Sequence, residues 1–377
     1  MSFLNSLNKQ QGLRLLIMLM AKTITLPLYA AGYLFPKRNT IWIFGNYHGD
    51  KDNSFYLYQY IRRNDANICA IWISKHDKKI NKKYSHAYYY MSIKGLYYQY
   101  IASVSIHTTG LGDFAKFCGA KKFRVQLWHG IPIKKILLDS PETLPFSNQK
   151  NIIARLLQNY ARKQIKESYD LTIASSDYVQ EIFMTAFNQK KENVVITGYP
   201  RQDIITNDIA VENKKVNVLY APTWRSNNKQ LIEIILRGIA AIKYHLSQKS
   251  YVITISLHPL NSSLYSQLEH IADIDFYKGQ DINCDLGSFN MLVTDYSSIA
   301  LDFLPLQKEF FFYTPDLKQY SMERGIYSNF LQLIKDRQIS EIRPNSLVEL
   351  ERYFKFNDRK SCERITKTIK SRRNNTL

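Results

Sequence analysis

Val125-Gln126-Leu127-Trp128-His129-Gly130-Ile131-Pro132-Ile133-Lys134-Lys135 begins as an apolar run, turns at His-Gly and ends in two lysines. Residues 123–128 read as a buried strand, because a short apolar stretch closed by a turn residue favours extended chain. A core histidine needs neither the glycine nor the lysines. A strand end that meets a negatively charged substrate has a use for all three, since open α/β sheets bind ligands beyond the carboxyl ends of their strands.

Working outward, similar runs recur at 41–44, 68–73, 104–107, 171–174 and 194–197. Between several of them lie helical patterns. The clearest spans 151–168, with Ile152, Ile153, Leu156, Leu157, Tyr160 and Ile165 on one face and Arg155, Arg162, Lys163 and Lys166 on the remainder. Ser175-Ser176-Asp177 ends one strand and is suited to cap the next helix. A polar stretch at 202–215 reads as a linker, after which the pattern restarts. Strands are expected at 216–220, 251–257, 291–294 and 310–313, and a helix at 230–245. Strands alternating with helices imply parallel sheets, and two such series imply two Rossmann-like domains facing a central cleft. The expected divisions are 1–38, 39–205, 206–345 and a basic helical tail at 346–377.

The length of 377 residues fits about two domains, and 45% hydrophobic with 22% charged residues excludes global disorder. The formal net charge of +19 calls for an anionic partner: nucleic acid, a phospholipid surface or a phosphorylated substrate. Cys69, Cys118, Cys284 and Cys362 are far apart and form neither a zinc spacing nor a disulfide framework. Residues 12–35 are apolar but interrupted by Lys22 and Pro27, short of the ~20 residues of a spanning helix. They are expected to lie in the membrane plane, with a buried helix, a transmembrane span or a signal peptide as alternatives.

Five polar clusters follow strands: His129; Gly198-Tyr199-Pro200-Arg201; Ala221-Pro222-Thr223-Trp224-Arg225; His258-Pro259; and Asp295-Tyr296-Ser297-Ser298. Two hydroxyls at a helix start make a phosphate seat, although Ser and Asp cap helices anywhere. An imidazole takes a proton from an attacking hydroxyl at neutral pH, or when protonated stabilises phosphoryl charge. His129 and His258 qualify by their place after a strand. His48, His76, His86, His107, His245 and His270 are read as ordinary structural or surface histidines. Lys134, Lys135, Arg201 and Arg225 are candidate phosphate clamps, Arg225 foremost, while a lysine pair is usually solvated surface. No Gly-x-Gly-x-x-Gly, Walker A or Gly-x-Ser-x-Gly pattern occurs. Asp273-Ile274-Asp275 precedes a strand and is given no metal role, so chemistry without a metal or other cofactor is expected.

The ordered set Trp128–Lys135, Thr197–Asp203, Leu219–Arg225, His258-Pro259 and Thr294–Ser298, with Asp302-Phe303, resembles the CDP-glycerol glycerophosphotransferase family. These are teichoic-acid primases and polymerases and their capsule relatives. Asp52-Asn53-Ser54 and Arg324-Gly325-Ile326-Tyr327 resemble its early and late elements. The resemblance spans roughly residues 41–330 and implies a GT-B fold. It implies transfer of a polyol phosphate, glycerol or ribitol, from a CDP-activated donor with release of CMP. It maps the family's essential histidines onto His129 and His258; His129 is assigned as general base, with an electrostatic clamp as the alternative role for either histidine. Its phosphate-binding hydroxyls map onto Ser297 and Ser298, with Thr294 nearby. Gly130, Lys134, Arg201, Thr223, Arg225, Asp295 and Arg324 complete the expected substrate-binding residues, with the acceptor hydroxyl near His129 and the pyrophosphate near His258, Arg225 and the serine pair. Two positions depart from the pattern: Ser256-Leu257 precede His258, and Ser328-Asn329 follow Tyr327.

The expected partners are a CDP-polyol, a lipid-linked or polymeric acceptor and anionic phospholipid, at the cytoplasmic face of the cell membrane. A nucleotide-sugar GT-B enzyme and a nucleic-acid-binding protein are the rivals. The second lacks any recognition motif.

Overall fold

A computed structural model describes residues 23, 25–140, 159, 162–207, 215–339 and 350–374. It contains a seven-stranded sheet of order β3-β2-β1-β4-β5-β6-β7 and a five-stranded sheet of order β10-β9-β8-β11-β12. The strands are β1 (Arg38–Asn46), β2 (Cys69–Ser74), β3 (Ala87–Tyr89), β4 (Ala102–His107), β5 (Phe123–Gln126), β6 (Leu171–Ala174) and β7 (Val194–Ile196). The second sheet has β8 (Val216–Ala221), β9 (Tyr251–Ile255), β10 (Ile274–Phe276), β11 (Met291–Thr294) and β12 (Glu309–Phe312). The chain divides into two compact units: residues 1–128, 169–171 and 369–377, and residues 129–168 and 172–368.

In the first unit β1 pairs in parallel with β2 and β4, in register Ile43↔Ile71 and Ile43↔Ser105. Ile41, Trp42, Ile43 and Phe44 are all buried, so β1 is apolar on both faces rather than alternating, as parallel strands covered on each side require. Helix α1 (Asp52–Asn64) contributes Phe55, Leu57, Tyr58 and Ile61 to the interior. The three-residue strand β3 lies inside a tyrosine-rich run whose pattern had not marked it.

In the second unit, helix α2 (Asp177–Ala186) is capped by Ser176, whose hydroxyl accepts from Val179 N–H, as its sequence signals. Helix α3 (Asn228–His245) is capped by Asn227 and packs Leu231, Ile235, Ile239 and Ile242 with Val218, Tyr220, Ile253 and Ile255. That spacing is one helical face meeting alternate residues of a sheet. Asp275 falls inside β10, as a strand residue.

The expected linker at 202–215 is a correction in part. Pro200–Asp203 forms a buried 3-10 turn, and Asp203 accepts the Ser361 and Cys362 N–H groups that open helix α6 (Ser361–Asn374). Residues 208–214 lie outside the described residues, as does most of the 151–168 helix, of which 162–166 are helical. Of the N-terminal apolar segment, 1–22 and 24 lie outside. Among the described residues no helix is long and apolar enough to cross a membrane, and Leu26 and Leu34 are exposed.

Candidate active site

Beyond β5 the chain passes through two residues of positive φ. Trp128 has φ 59° and Gly130 φ 126°, and between them His129 is exposed. A bulky aromatic in that region is a true backbone outlier. Ile131 and Ile133 are buried beyond the turn and anchor the loop.

Gly130 meets the Ser297-Ser298 turn. A Cβ built on it would lie 3.1 Å from Ser298 Oγ and 3.1 Å from Arg201 Nη1. Arg201 donates to Asp302 Oδ2 at 2.6 Å, both side chains being buried. Asp302 lies in helix α4 (Ile299–Phe303), and its own N–H bonds the Ser298 carbonyl at 3.2 Å. The Ser297 hydroxyl accepts from Ile299 N–H at 3.4 Å. The His-Gly loop, Arg201 and the serine pair are thus one contiguous group. Arg201 holds the serine helix through Asp302, an additional task to the phosphate contact expected of it.

Arg225 is similarly engaged. It donates to Asp295 Oδ2 at 3.0 Å, to Asp316 Oδ2 at 3.2 Å and to the Thr223 carbonyl at 2.9 Å. Burial opposes its charge, but Asp295 and Asp316 outweigh that and its pKa is raised. The guanidinium carbon lies 4.9 Å from the centre of the Tyr320 ring, which stacks on Tyr296 at 3.8 Å. Asp295 also accepts from Thr223 N–H and hydroxyl, and Tyr296 O–H donates to Asp316. Thr294 is buried and its hydroxyl donates to the Ala221 carbonyl at 2.6 Å, tying β11 to β8. Thr223, Thr294 and Asp295, expected as substrate ligands, therefore build the turn that presents the serines and Arg225.

The two lysines differ. Lys134 forms an antiparallel bridge with Ile326, and Lys135 N–H donates to the Gly325 carbonyl at 3.1 Å. This pairing joins the His-Gly segment to the Arg-Gly element, with Arg324 exposed at the end of helix α5 (Leu317–Arg324). Lys134 Nζ lies 6.0 Å from the Tyr320 ring centre. Burial lowers its pKa, Asp295 opposes this, and Arg324 and Arg225 add to the lowering. Reading the lysine pair as solvated surface fits the exposed Lys135 and fails for Lys134.

His258 is exposed and caps the 3-10 turn Pro259–Leu264, its Nδ1 accepting Leu260 N–H at 3.2 Å. A neutral ring so held carries its hydrogen on Nε2, which makes that atom a donor. The buried Asn261 links this turn to the Arg225 carbonyl at 3.2 Å.

Asp316, Tyr320 and Asn261 escaped the sequence reading. Asp316 and Asn261 sit a few residues past β12 and β9, where the strand-end rule reaches if extended beyond the first residues. The same rule also fits His48 and His76, two residues past β1 and β2, so strand-end placement alone does not separate His129 and His258 from them. Among the described residues no group of three or more His, Cys, Asp or Glu side chains is arranged to hold a metal ion.

Parallel sheets with cations, serines and histidines at strand ends are the arrangement of an α/β protein suited to an anionic substrate. A family model, CDP-glycerol:poly(glycerophosphate) glycerophosphotransferase, matches residues 28–340, and the chain belongs to this family. The teichoic acid glycerol-phosphate transferase of Staphylococcus aureus is 31% identical over 327 residues, covering 78% of this chain and 79% of that protein. The teichoic acid poly(glycerol phosphate) polymerase of Bacillus spizizenii is 28% identical, covering 79% of each. The Bacillus spizizenii teichoic acid ribitol-phosphate primase is 24% identical, covering 66% of this chain and 69% of that protein. A structure of the wall teichoic acid polymerase TagF with CDPG has a TM-score of 0.71 at 20% identity, covering 98% of this chain and all of that one. A Staphylococcus aureus MnaA–UDP structure follows at 0.55 and 12%, covering 89% of this chain and 97% of that one. These two likenesses concern the fold.

Proposed function

We propose that the chain transfers glycerol phosphate from CDP-glycerol to a lipid-linked or polymeric acceptor in teichoic-acid-type polymer synthesis, releasing CMP. The family membership and the glycerol-phosphate relatives support this reading. One observation carries it at the level of residues: the Gly130 backbone lies against Ser298 and Arg201, so His129 emerges beside a hydroxyl and cation group suited to phosphoryl oxygens.

In this reading an acceptor hydroxyl loses its proton to His129 and attacks the phosphorus that bears the glycerol. The bond from that phosphorus to the CMP oxygen breaks, a phosphodiester forms, and CMP leaves. His258, through Nε2–H, and the Ser297 and Ser298 hydroxyls steady the developing charge, while Lys134 and Arg324 supply positive potential and Arg225, paired with Asp295 and Asp316, holds the turn that carries the serines. Such transfer depends on positioning and charge rather than covalent catalysis.

The GT-B description, the role in capsule synthesis, peripheral attachment through the N-terminal apolar segment and placement at the cytoplasmic membrane face belong to the same proposal. The exposed Leu26 and Leu34 and the charge of +19 support attachment to anionic lipid.

The test is CMP release from CDP-glycerol and, in parallel, CDP-ribitol, by wild type and His129→Ala with a membrane extract as acceptor. Release from CDP-glycerol alone, abolished in the variant, is expected. Release from CDP-ribitol alone would change the polyol. Release from neither, by folded protein, would overturn the reading and leave a different CDP-polyol or a nucleotide sugar as the donor, which a donor-panel binding screen separates.

A further inference from the structure

The left-handed Trp128 is the strained residue immediately before His129, and strain of this kind persists only where surrounding groups hold it. Two buried amides do so, one on each side. Gln126 Oε1 accepts Trp128 N–H at 3.0 Å, and Asn53 Nδ2 donates to the Trp128 carbonyl at 2.8 Å. Gln126 and Asn53 are both fully buried. Chemistry fixes their orientation: an N–H needs the amide oxygen, and a carbonyl needs the amide nitrogen.

Asn53 is rooted in turn. It is the second residue of α1, its N–H donates to Asp52 Oδ1 at 2.6 Å, and the next residue, Ser54, donates its N–H to Thr108 Oγ1 at 3.0 Å. The Trp128 carbonyl shares a rigid peptide plane with the His129 nitrogen. Fixing that oxygen therefore fixes the direction in which His129 leaves the strand. Gly130 then completes the turn with its own positive φ.

We propose that Asn53, with Gln126 on the opposite peptide group, is a positioning residue for His129: it clamps the Trp128 carbonyl and so sets the imidazole's approach to the acceptor hydroxyl. The proposal rests on the reading of His129 as the general base. It explains why an amide stands at residue 53. A carboxylate of the same shape would set oxygen against oxygen, and a smaller side chain would leave the carbonyl without this donor.

The test uses the full chain. Asn53→Asp and Asn53→Ala are compared with wild type for CMP release from CDP-glycerol between pH 5 and 9, with melting temperature as the check on folding. At pH 8 both variants are expected to lose kcat by about 100-fold, the scale of a misplaced catalytic group, with the donor KM little changed. Measured as a ratio to wild type at each pH, Asn53→Asp alone should recover towards pH 5, because the neutral acid donates to the carbonyl again. A purely structural role would lower the melting temperature without this acid-side recovery.

A second readout does not depend on turnover: the rate at which diethyl pyrocarbonate modifies the exposed His129, mapped by mass spectrometry. That rate should change in both variants if Asn53 sets the presentation of the ring. Wild-type kcat in folded Asn53→Ala, or an unchanged His129 modification rate in both variants, would overturn the proposal. Absence of turnover in wild type would instead overturn the proposed function, and full turnover in His129→Ala the general-base reading; in both cases the modification rate would still decide whether Asn53 positions the ring. Should Asn53→Asp fail to fold, Asn53→Ala carries both readouts.

Discussion

Gly130 meets two separate requirements. Its φ of 126° is one that side-chain-bearing residues rarely adopt, and its Cα faces Ser298 and Arg201 at a distance that leaves a Cβ only 3.1 Å from each. Gly130→Ala is expected to cost about 1–3 kcal/mol of stability from backbone strain and to lower kcat by about 100-fold as His129 shifts from the serines. Denaturant unfolding with CMP-release kinetics checks both, and a wild-type kcat would show that the close approach is dispensable. Arg225 makes a different residue-scale case. Its planar fork serves Asp295, Asp316 and the Thr223 carbonyl together, which a lysine's point charge does not do. Arg225→Ala strands the buried Asp295 and the partly buried Asp316 carboxylates and is expected to destabilise by about 3 kcal/mol, measured by urea unfolding. Arg225→Lys should fold better and show a raised KM for the CDP donor at little change in melting temperature.

At the scale of elements, α6 begins on the carboxylate of Asp203, from a distant part of the chain, which takes two of the helix's first N–H groups. Asp203→Ala should cost about 0.5–2 kcal/mol, the worth of a cap, with unchanged kinetics, read from unfolding and turnover side by side. A kinetic loss greater than the stability loss would give Asp203 a role in the site. Strand β4 ends in the buried His107, bonded to the Gly110 carbonyl and to Ser105 Oγ. Burial pushes its pKa down to about 3 from 6.5. The folded state thus binds this proton less readily than the unfolded chain. The contribution is fully present above pH 6.5 and is lost as pH falls towards 3, at about 1.4 kcal/mol per unit. Its neighbour Asp113 is pushed the other way by burial, up to about 6, despite accepting four backbone N–H groups. That contribution is present below 3.8 and is lost as pH rises through 6, so the two oppose each other between those values. Comparing wild type with His107→Gln isolates the histidine: the cost of the substitution should shrink steadily below pH 6.5 in unfolding measurements. A cost independent of pH would refute it.

For the molecule as a whole, a charge of +19 sets up a positive field that draws an anionic donor and acceptor to the surface. Such steering is screened over about 8 Å at physiological salt. Raising the salt from low to high should therefore raise the KM for CDP-glycerol while leaving kcat nearly constant, because the bonded groups around Arg225 and Arg201 are largely shielded from solvent ions. A fall in kcat with unchanged KM would place the salt effect in the chemical step instead.

The sequence by itself determined the strand-and-helix alternation, nearly every strand of both parallel sheets, and the five strand-end clusters. Parallel strands buried on both faces leave continuous apolar runs, and these end abruptly where polar chemistry begins. The ordered motifs also carried the family. Only the tertiary structure decided which polar residues meet each other. Arg201 with Asp302 are 101 residues apart, Arg225 with Asp316 are 91 apart, and Asn53 with Trp128 are 75 apart, so no local pattern signals them. It also separated Lys134 from Lys135, since burial belongs to the fold and not to the residue type. The short strand β3 and the cap on α6 stayed hidden for the same reason: each is specified by a partner distant in the chain, and periodicity reports only neighbours.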